Sequence, residues 1–158
     1  MKKRILFVCL GNICRSPAAE AILLHKLEKL QLLDQFDVDS AGTGNWHVGK
    51  LADSRMRDAA SNRGIKIKSR ARQISFYDFN KFDLILTMDN DNLTHVKSLT
   101  KELDSKFKAK VKPLLSYSMQ TDHVEVPDPY YGGEKGFDQV LDLLEVAIDG
   151  LIKDIRVD

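Results

Sequence analysis

The chain has 158 residues, enough for one domain whose core needs no disulfide or metal to fold. Hydrophobic residues make up 43% and charged residues 30%, and 24 basic against 23 acidic side chains leave a net charge of +1. That near-neutrality gives no reason to expect nucleic acid or a membrane as a partner, since both usually leave a basic excess, so residues 1–158 read as a single domain, with a monomer as the simplest expectation.

At the start, Lys2, Lys3 and Arg4 and the later Ala19-Glu20-Ala21 have the outline of a secretion signal. The apolar run Ile5–Leu10 is shorter than the ~7–15 residues such a signal needs, and Asn12 and Arg15 interrupt it. No run approaches the ~20 apolar residues of a membrane span. Residues 4–9, RILFVC, are apolar and rich in β formers, and predict a buried strand ended by Gly11. Ser16-Pro17 suits the first turn of a helix, and Ala18, Ala21, Ile22, Leu24, Leu27, Leu30 and Leu33 recur at helical spacing from Pro17 to about Leu33.

Phe36-Asp37-Val38-Asp39-Ser40 alternates as a second strand and ends in the glycine-rich turn Ala41-Gly42-Thr43-Gly44. Residues 53–63 read as a helix stopped by Gly64. Phe82–Thr87 reads as a third strand, followed by a helix from about Asp89 to Leu99. Residues 111–115 predict a weaker fourth strand and 116–133 a long loop. From Gly136 to about Ile155 runs a closing helix, with Phe137, Val140, Leu141, Leu144, Ile148, Leu151 and Ile152 on its buried stripe. Strands alternating with helices imply an α/β fold with a parallel sheet covered on both faces, and ligands in such sheets bind beyond the carboxyl ends of the strands.

The chemistry concentrates where the first strand meets the first helix, in Cys9-Leu10-Gly11-Asn12-Ile13-Cys14-Arg15-Ser16. Backbone N–H groups of such a loop can turn inward as an anion-binding nest, and the helix start adds further N–H groups and partial positive charge. Such a cradle lowers the pKa of Cys9 toward a thiolate and holds a phosphate beside the sulfur. Arg15 can grip two phosphoryl oxygens at once, which Lys cannot. Ser16 is placed to stabilise the sulfur as a leaving group. The loop is not a nucleotide-binding P-loop, because no G-K-[ST] follows at the required spacing. A lone Cys at a strand end is ordinarily an inert core residue, but an Arg at a helix start opposes the dipole unless an anion lies between them.

The two cysteines, five positions apart, cannot staple distant segments and match neither C-x-x-C nor a zinc pattern. A reducing compartment, the cytoplasm, is expected, with no metal or other cofactor. Late in the chain, Val126-Pro127-Asp128-Pro129-Tyr130-Tyr131 holds Asp128 extended between two prolines. Beside a phosphate and a thiolate its carboxyl pKa is expected to rise, which suits a general acid. Tyr130 and Tyr131 supply aromatic walls.

With these two segments the chain resembles the low-molecular-weight protein tyrosine phosphatases, over nearly its whole length. The loop C-L-G-N-I-C-R-S and D-P-Y-Y carry most of the likeness, supported by Ser40-Ala41-Gly42-Thr43, Trp46-His47-Val48-Gly49, Arg70-Ala71-Arg72-Gln73 and Thr87-Met88-Asp89. The resemblance implies a three-layer sandwich with a four-stranded parallel sheet of flavodoxin-like order. It implies hydrolysis of phosphotyrosine in proteins, and of small aryl phosphates, with Cys9 as nucleophile, Arg15 as phosphate clamp and Asp128 as acid, then base. Leu10, Gly11, Asn12, Ile13, Cys14 and Ser16 would form the phosphate loop, and Leu10, Trp46, Tyr130 and Tyr131 the rim of the cleft. Asn12 would hold the loop's shape through Ser40, and Asp89 would orient Arg15. Cys14 matches the family's second loop cysteine, which can form a reversible disulfide with Cys9. One departure stands out: members commonly carry His where this chain has Ser69. None of His25, His47, His95 and His123 is needed as a base.

An arsenate reductase of the same fold would use this loop with a relay of further cysteines, but no cysteine follows Cys14. A non-catalytic anion-binding module would not need Asp128. A general redox protein is disfavoured by the absence of C-x-x-C.

Overall fold

A computed structural model describes residues 2–103, 106–118, 124–129 and 133–156. Four strands, β1 (Lys3–Cys9), β2 (Phe36–Gly42), β3 (Leu84–Thr87) and β4 (Lys110–Pro113), form one parallel sheet in the order β2-β1-β3-β4. This is the α/β architecture and flavodoxin-like order expected above. Among the described residues the α-helices are α1 (Arg15–Lys29), α2 (Ser54–Ser61), α3 (Asp78–Lys81), α4 (Asn90–Thr100) and α5 (Gly133–Ile155).

The pleat sends successive residues of β1 to opposite faces. Ile5, Phe7 and Cys9 join one core with Leu84, Leu86 and the buried sides of α1, α2 and α5. Leu6 and Val8 join a second with Ile85, Phe79 and Val96, under α3 and α4. Every residue of the stripe predicted for the closing helix is buried. Because β1 lies between β2 and β3, its end is enclosed on both sides: Cys9 stands opposite Gly42 and Val8 opposite Thr87.

Several boundaries differ from expectation. The first helix starts at Arg15 and stops at Lys29, short of Leu33, because Gln31 turns left-handed (φ 60°). There Gln31 N–H donates to the Glu28 carbonyl and Leu32 N–H to the Leu27 carbonyl, a Schellman stop made without glycine. The second strand runs on through Ala41 and Gly42, which the sequence suggests as a turn, since both pair with β1. The fourth strand ends at Pro113, and Leu114–Tyr117 turn as a 3-10 helix. The last helix begins at Gly133, three residues early. The short α3 carries too few residues to show a period.

Candidate active site

Cys9 closes β1 at the carboxyl edge of the sheet, and the chain turns from it into α1 within five residues. Asn12 makes the turn possible by adopting a left-handed backbone (φ 58°), which Asn tolerates better than most residues. Its side chain is held at both ends. Oδ1 accepts the Arg72 backbone N–H at 2.9 Å, while Nδ2 donates to Ser16 Oγ at 2.8 Å and Ser40 Oγ at 3.0 Å. Arg72 is itself anchored by Asp39 and Asp78. Behind the loop, Thr43 and Gly44 N–H groups donate to the Cys9 and Leu10 carbonyls, both at 2.9 Å. A Cβ on Gly42 would stand 2.8 Å from the Leu10 carbonyl oxygen and 3.1 Å from Asn12 N, so only glycine fits there.

The Cys9 sulfur lies 3.0 Å from Ser16 Oγ and accepts the Asn12 backbone N–H at 3.3 Å. Since Asn12 Nδ2 already fills an acceptor site of Ser16, the hydroxyl hydrogen is free to point at the sulfur, with the Ala41 carbonyl at 3.3 Å as its alternative. The backbone N–H groups of Gly11, Ile13 and Cys14 have no partner among the described residues. They belong to residues that line the same cleft as Cys9, which suits an anion cradle. Cys9 is 2% exposed, yet it is not sealed in hydrocarbon. It forms the floor of a cleft of about 270 Å³ whose walls include Leu10, Ile13, Arg15, Trp46, His47 and Asp128.

Arg15 is buried (3% exposed), with Nη1 donating to Asp89 Oδ2 at 2.6 Å and to the Val126 carbonyl at 3.0 Å. Burial works against its charge, but the Cys9 sulfur, Asp89 and Asp128 outweigh that and hold the guanidinium above its ordinary pKa. Asp89 is also the N-cap of α4, accepting Asn92 N–H at 2.8 Å, so the carboxylate facing Arg15 is fixed to a helix. Asp128 Oδ2 stands 3.9 Å from Arg15 Nη2. Its segment is docked by Val126, whose N–H donates to the Met88 carbonyl at 2.7 Å.

Leu10 (45% exposed) and Trp46 (65%) stand on the rim, and Trp46 lies across Gly44, where a Cβ would collide with its ring. Tyr130 and Tyr131 lie outside the described residues. Cys14 is buried, and burial first, then the charges of Asp53, Cys9 and Asp128, push its thiol up to about 12. It rests as a thiol.

Three participants escape sequence reading. His47 walls the cleft against Gly11. The Val126 carbonyl binds Arg15 by backbone and so leaves no side-chain signal. Glu20, on α1, accepts the Ser40 hydroxyl at 2.6 Å and so buttresses Asn12. The helical period marks Glu20 only as one position on α1.

Burial first, and the charge of Asp39, raise the Glu20 carboxyl from 4.5 to about 7, against the hydrogen bonds of Ser40 and Ser69. The folded state therefore holds this proton more tightly than the unfolded chain. Stability from this group is complete below pH 4.5 and is lost as pH rises through about 7. Glu20→Gln is expected to stabilise the protein at pH 8 by on the order of 2–3 kcal/mol, a gain that vanishes below about pH 4.5. Urea melts at the two pH values measure this, and an equal difference at both refutes it.

Residues 4–158 match the family described as low molecular weight phosphotyrosine protein phosphatase. A low molecular weight protein-tyrosine-phosphatase of Streptomyces coelicolor is 40% identical, covering 99% of this chain and 95% of its own. A protein tyrosine phosphatase structure from Entamoeba histolytica is 44% identical over 98% of this chain and 97% of that one, with a TM-score of 0.90. An arginine phosphatase structure from Drosophila is 35% identical over 100% and 99%, with a TM-score of 0.92.

Proposed function

The chain belongs to the low molecular weight phosphotyrosine protein phosphatase family and is a protein-tyrosine phosphatase, and from that premise we propose that it works through a covalent phosphocysteine on Cys9. The observation that carries this reading is the Cys9 sulfur on the cleft floor, 3.0 Å from Ser16 Oγ and accepting the Asn12 N–H at 3.3 Å, in a loop whose Gly11, Ile13 and Cys14 N–H groups have no partner among the described residues.

In the first step the Cys9 thiolate attacks phosphorus in line. The sulfur–phosphorus bond forms, the phosphorus–oxygen ester bond breaks, and Asp128 gives its proton to the departing phenol oxygen. The loop N–H groups and Arg15 take up the equatorial oxygens, where transition-state charge sits. Asp89 and the Val126 carbonyl fix the Arg15 guanidinium through Nη1. In the second step water attacks the phosphocysteine, Asp128 accepts its proton, and the Ser16 hydroxyl stabilises the sulfur as it leaves. The cradle and Arg15 supply the positive charge that a metal would otherwise bring.

A deep sulfur beneath the Trp46 and Leu10 rim favours a long aromatic ester, hence phosphotyrosine over phosphoserine. The likeness to an arginine phosphatase makes phosphoarginine the comparison that matters. We expect metal-free turnover of phosphotyrosine peptides and aryl phosphates, slower turnover of phosphoserine and phosphoarginine peptides, and no arsenate reduction. Acid quenching should trap one phosphate on the Cys9 peptide by mass spectrometry. Turnover with no trapped phosphocysteine would refute the mechanism, and preferred hydrolysis of phosphoarginine would refute the substrate choice.

No helix among the described residues is long and apolar enough to cross a membrane. We place the enzyme in the cytoplasm, acting as a single-domain monomer on phosphotyrosine proteins, because a nucleophilic thiol beside a second free cysteine needs a reducing compartment.

Cys14 enters as a resolving thiol. Peroxide converts the Cys9 thiolate to a sulfenic acid, and the Cys14 thiol displaces water from it to form a disulfide that added thiol reduces. Because Cys14 is held protonated, it must surrender its proton during attack. After mild peroxide and thiol rescue, Cys14→Ser is expected to regain about a tenth or less of the activity that the wild type regains. Equal recovery would remove the role.

A further inference from the structure

A groove between one face of α1 and the segment after α2 encloses about 340 Å³, within the range of small-molecule sites. Pro17, Ala21 and Leu24 give it an apolar wall, one helical turn apart. Glu20 and Ser69 also line it, and Glu20 is joined to the loop network by the Ser40 hydroxyl at 2.6 Å. The catalytic cycle above makes no use of this space.

Glu20 is a carboxyl short of a counterion. Its hydrogen-bond partner is the Ser40 hydroxyl, and among the described residues no cation lies within ion-pair distance of it. Arg72 acts on it only through space, being committed to Asp39 at 3.1 Å and Asp78 at 3.0 Å. The rim residues Glu28, Lys66 and Lys68 are exposed and therefore screened by water, and His25 lines the groove half-buried, so the half-buried Glu20 carboxyl is the least screened acid that the groove presents. Its elevated pKa has the same origin, a desolvated charge without compensation.

We propose that this groove is a second binding site, for a small planar nitrogen cation such as an imidazolium or guanidinium group, seated on Glu20 and sensed at the catalytic loop. A planar cation matches the fork of a carboxylate, is more weakly hydrated than an ammonium and can lay a flat face on Pro17 and Leu24. The sensing path is continuous. Glu20 accepts the Ser40 hydroxyl at 2.6 Å, and Ser40 Oγ accepts Asn12 Nδ2 at 3.0 Å. The same amide donates to Ser16 at 2.8 Å, beside the Cys9 sulfur. A cation on Glu20 holds it ionised, keeps the Ser40 hydrogen directed at it, and leaves the Ser40 lone pair for Asn12.

Imidazole is the probe, titrated at pH 7 into the isotope-labelled protein with inorganic phosphate saturating the catalytic cleft. Expected are saturable shifts of the Ala21 and Ser69 amide signals and of the Asn12 side-chain amide. Glu20→Gln weakens binding about tenfold or more, the scale of a charge-assisted pair. Ser69→His, which fills the groove with a ring of its own, abolishes it. Ser40→Ala leaves binding in place but stills the Asn12 signal. The site is overturned by shifts that do not saturate, by equal affinity in Glu20→Gln, or by imidazole being displaced as phosphate is raised. The coupling is overturned if Asn12 stays still in the wild type. No arm of the test reads turnover, so its failure is separate from failure of the phosphocysteine mechanism.

Discussion

Cys9→Ser is expected to abolish turnover of aryl phosphates while leaving phosphate binding within a few-fold of the wild type, a loss on the order of 10⁴-fold or more in kcat. The two halves of that result come from different atoms. Phosphate affinity resides in Arg15 and the loop N–H groups, and those of Gly11, Ile13 and Cys14 are untouched by exchanging sulfur for oxygen. Reaction needs an anionic nucleophile, and a serine hydroxyl in the same place stays protonated where a thiol ionises. Ser16 Oγ, 3.0 Å from the sulfur, is no substitute, because it faces no base that could take its proton. Initial rates and calorimetric phosphate binding measure the two parameters. Residual turnover above about a hundredth of wild type removes Cys9 from its role, since covalent-catalysis losses are far larger. Loss of phosphate binding as well would show that the cradle depends on the sulfur itself.

Asp128→Ala comes second in size, with kcat expected to fall by about 10²–10⁴, the range of general acid catalysis. Substrate KM and phosphate affinity are expected to hold or improve, because the change removes a negative charge 3.9 Å from Arg15. The loss grows with the basicity of the leaving group: small for nitrophenyl phosphate, large for phosphotyrosine peptide. Asp128→Asn keeps the shape and is expected to behave the same way, which separates proton transfer from packing. Equal losses across leaving groups would assign Asp128 to positioning Arg15 instead. The loop itself is expected to stay docked in both variants, because the Val126 N–H donates to the Met88 carbonyl and the Val126 carbonyl accepts the Arg15 guanidinium.

The residues proposed as nucleophile, clamp and acid were all legible in the sequence, because each belongs to a short contiguous pattern whose chemistry is local. A Cys ending an apolar strand, an Arg six residues on and Ser-Pro opening a helix describe one turn of chain. Asp128 between two prolines describes another. The alternation of β1 and the helical stripe of α5 were legible for the same reason, since period is a local property. Helix ends were less so: the Gln31 stop depends on a left-handed residue that is not glycine, and only its two backbone bonds reveal it.

What the sequence by itself determined is therefore the fold class and the short segments from which the proposed reagents come, both carried by residues near one another along the chain. What only the tertiary structure decided is their arrangement. Asp89 and the Val126 carbonyl, 74 and 111 positions from Arg15, meet its guanidinium. Ser40 and Arg72 pin Asn12 from two other segments. Glu20 turns from a helix residue into the outer end of the network that shapes the loop. The physical reason is that hydrogen bonds and burial act over a few ångströms of space, and only sheet order and helix packing set which distant residues share it.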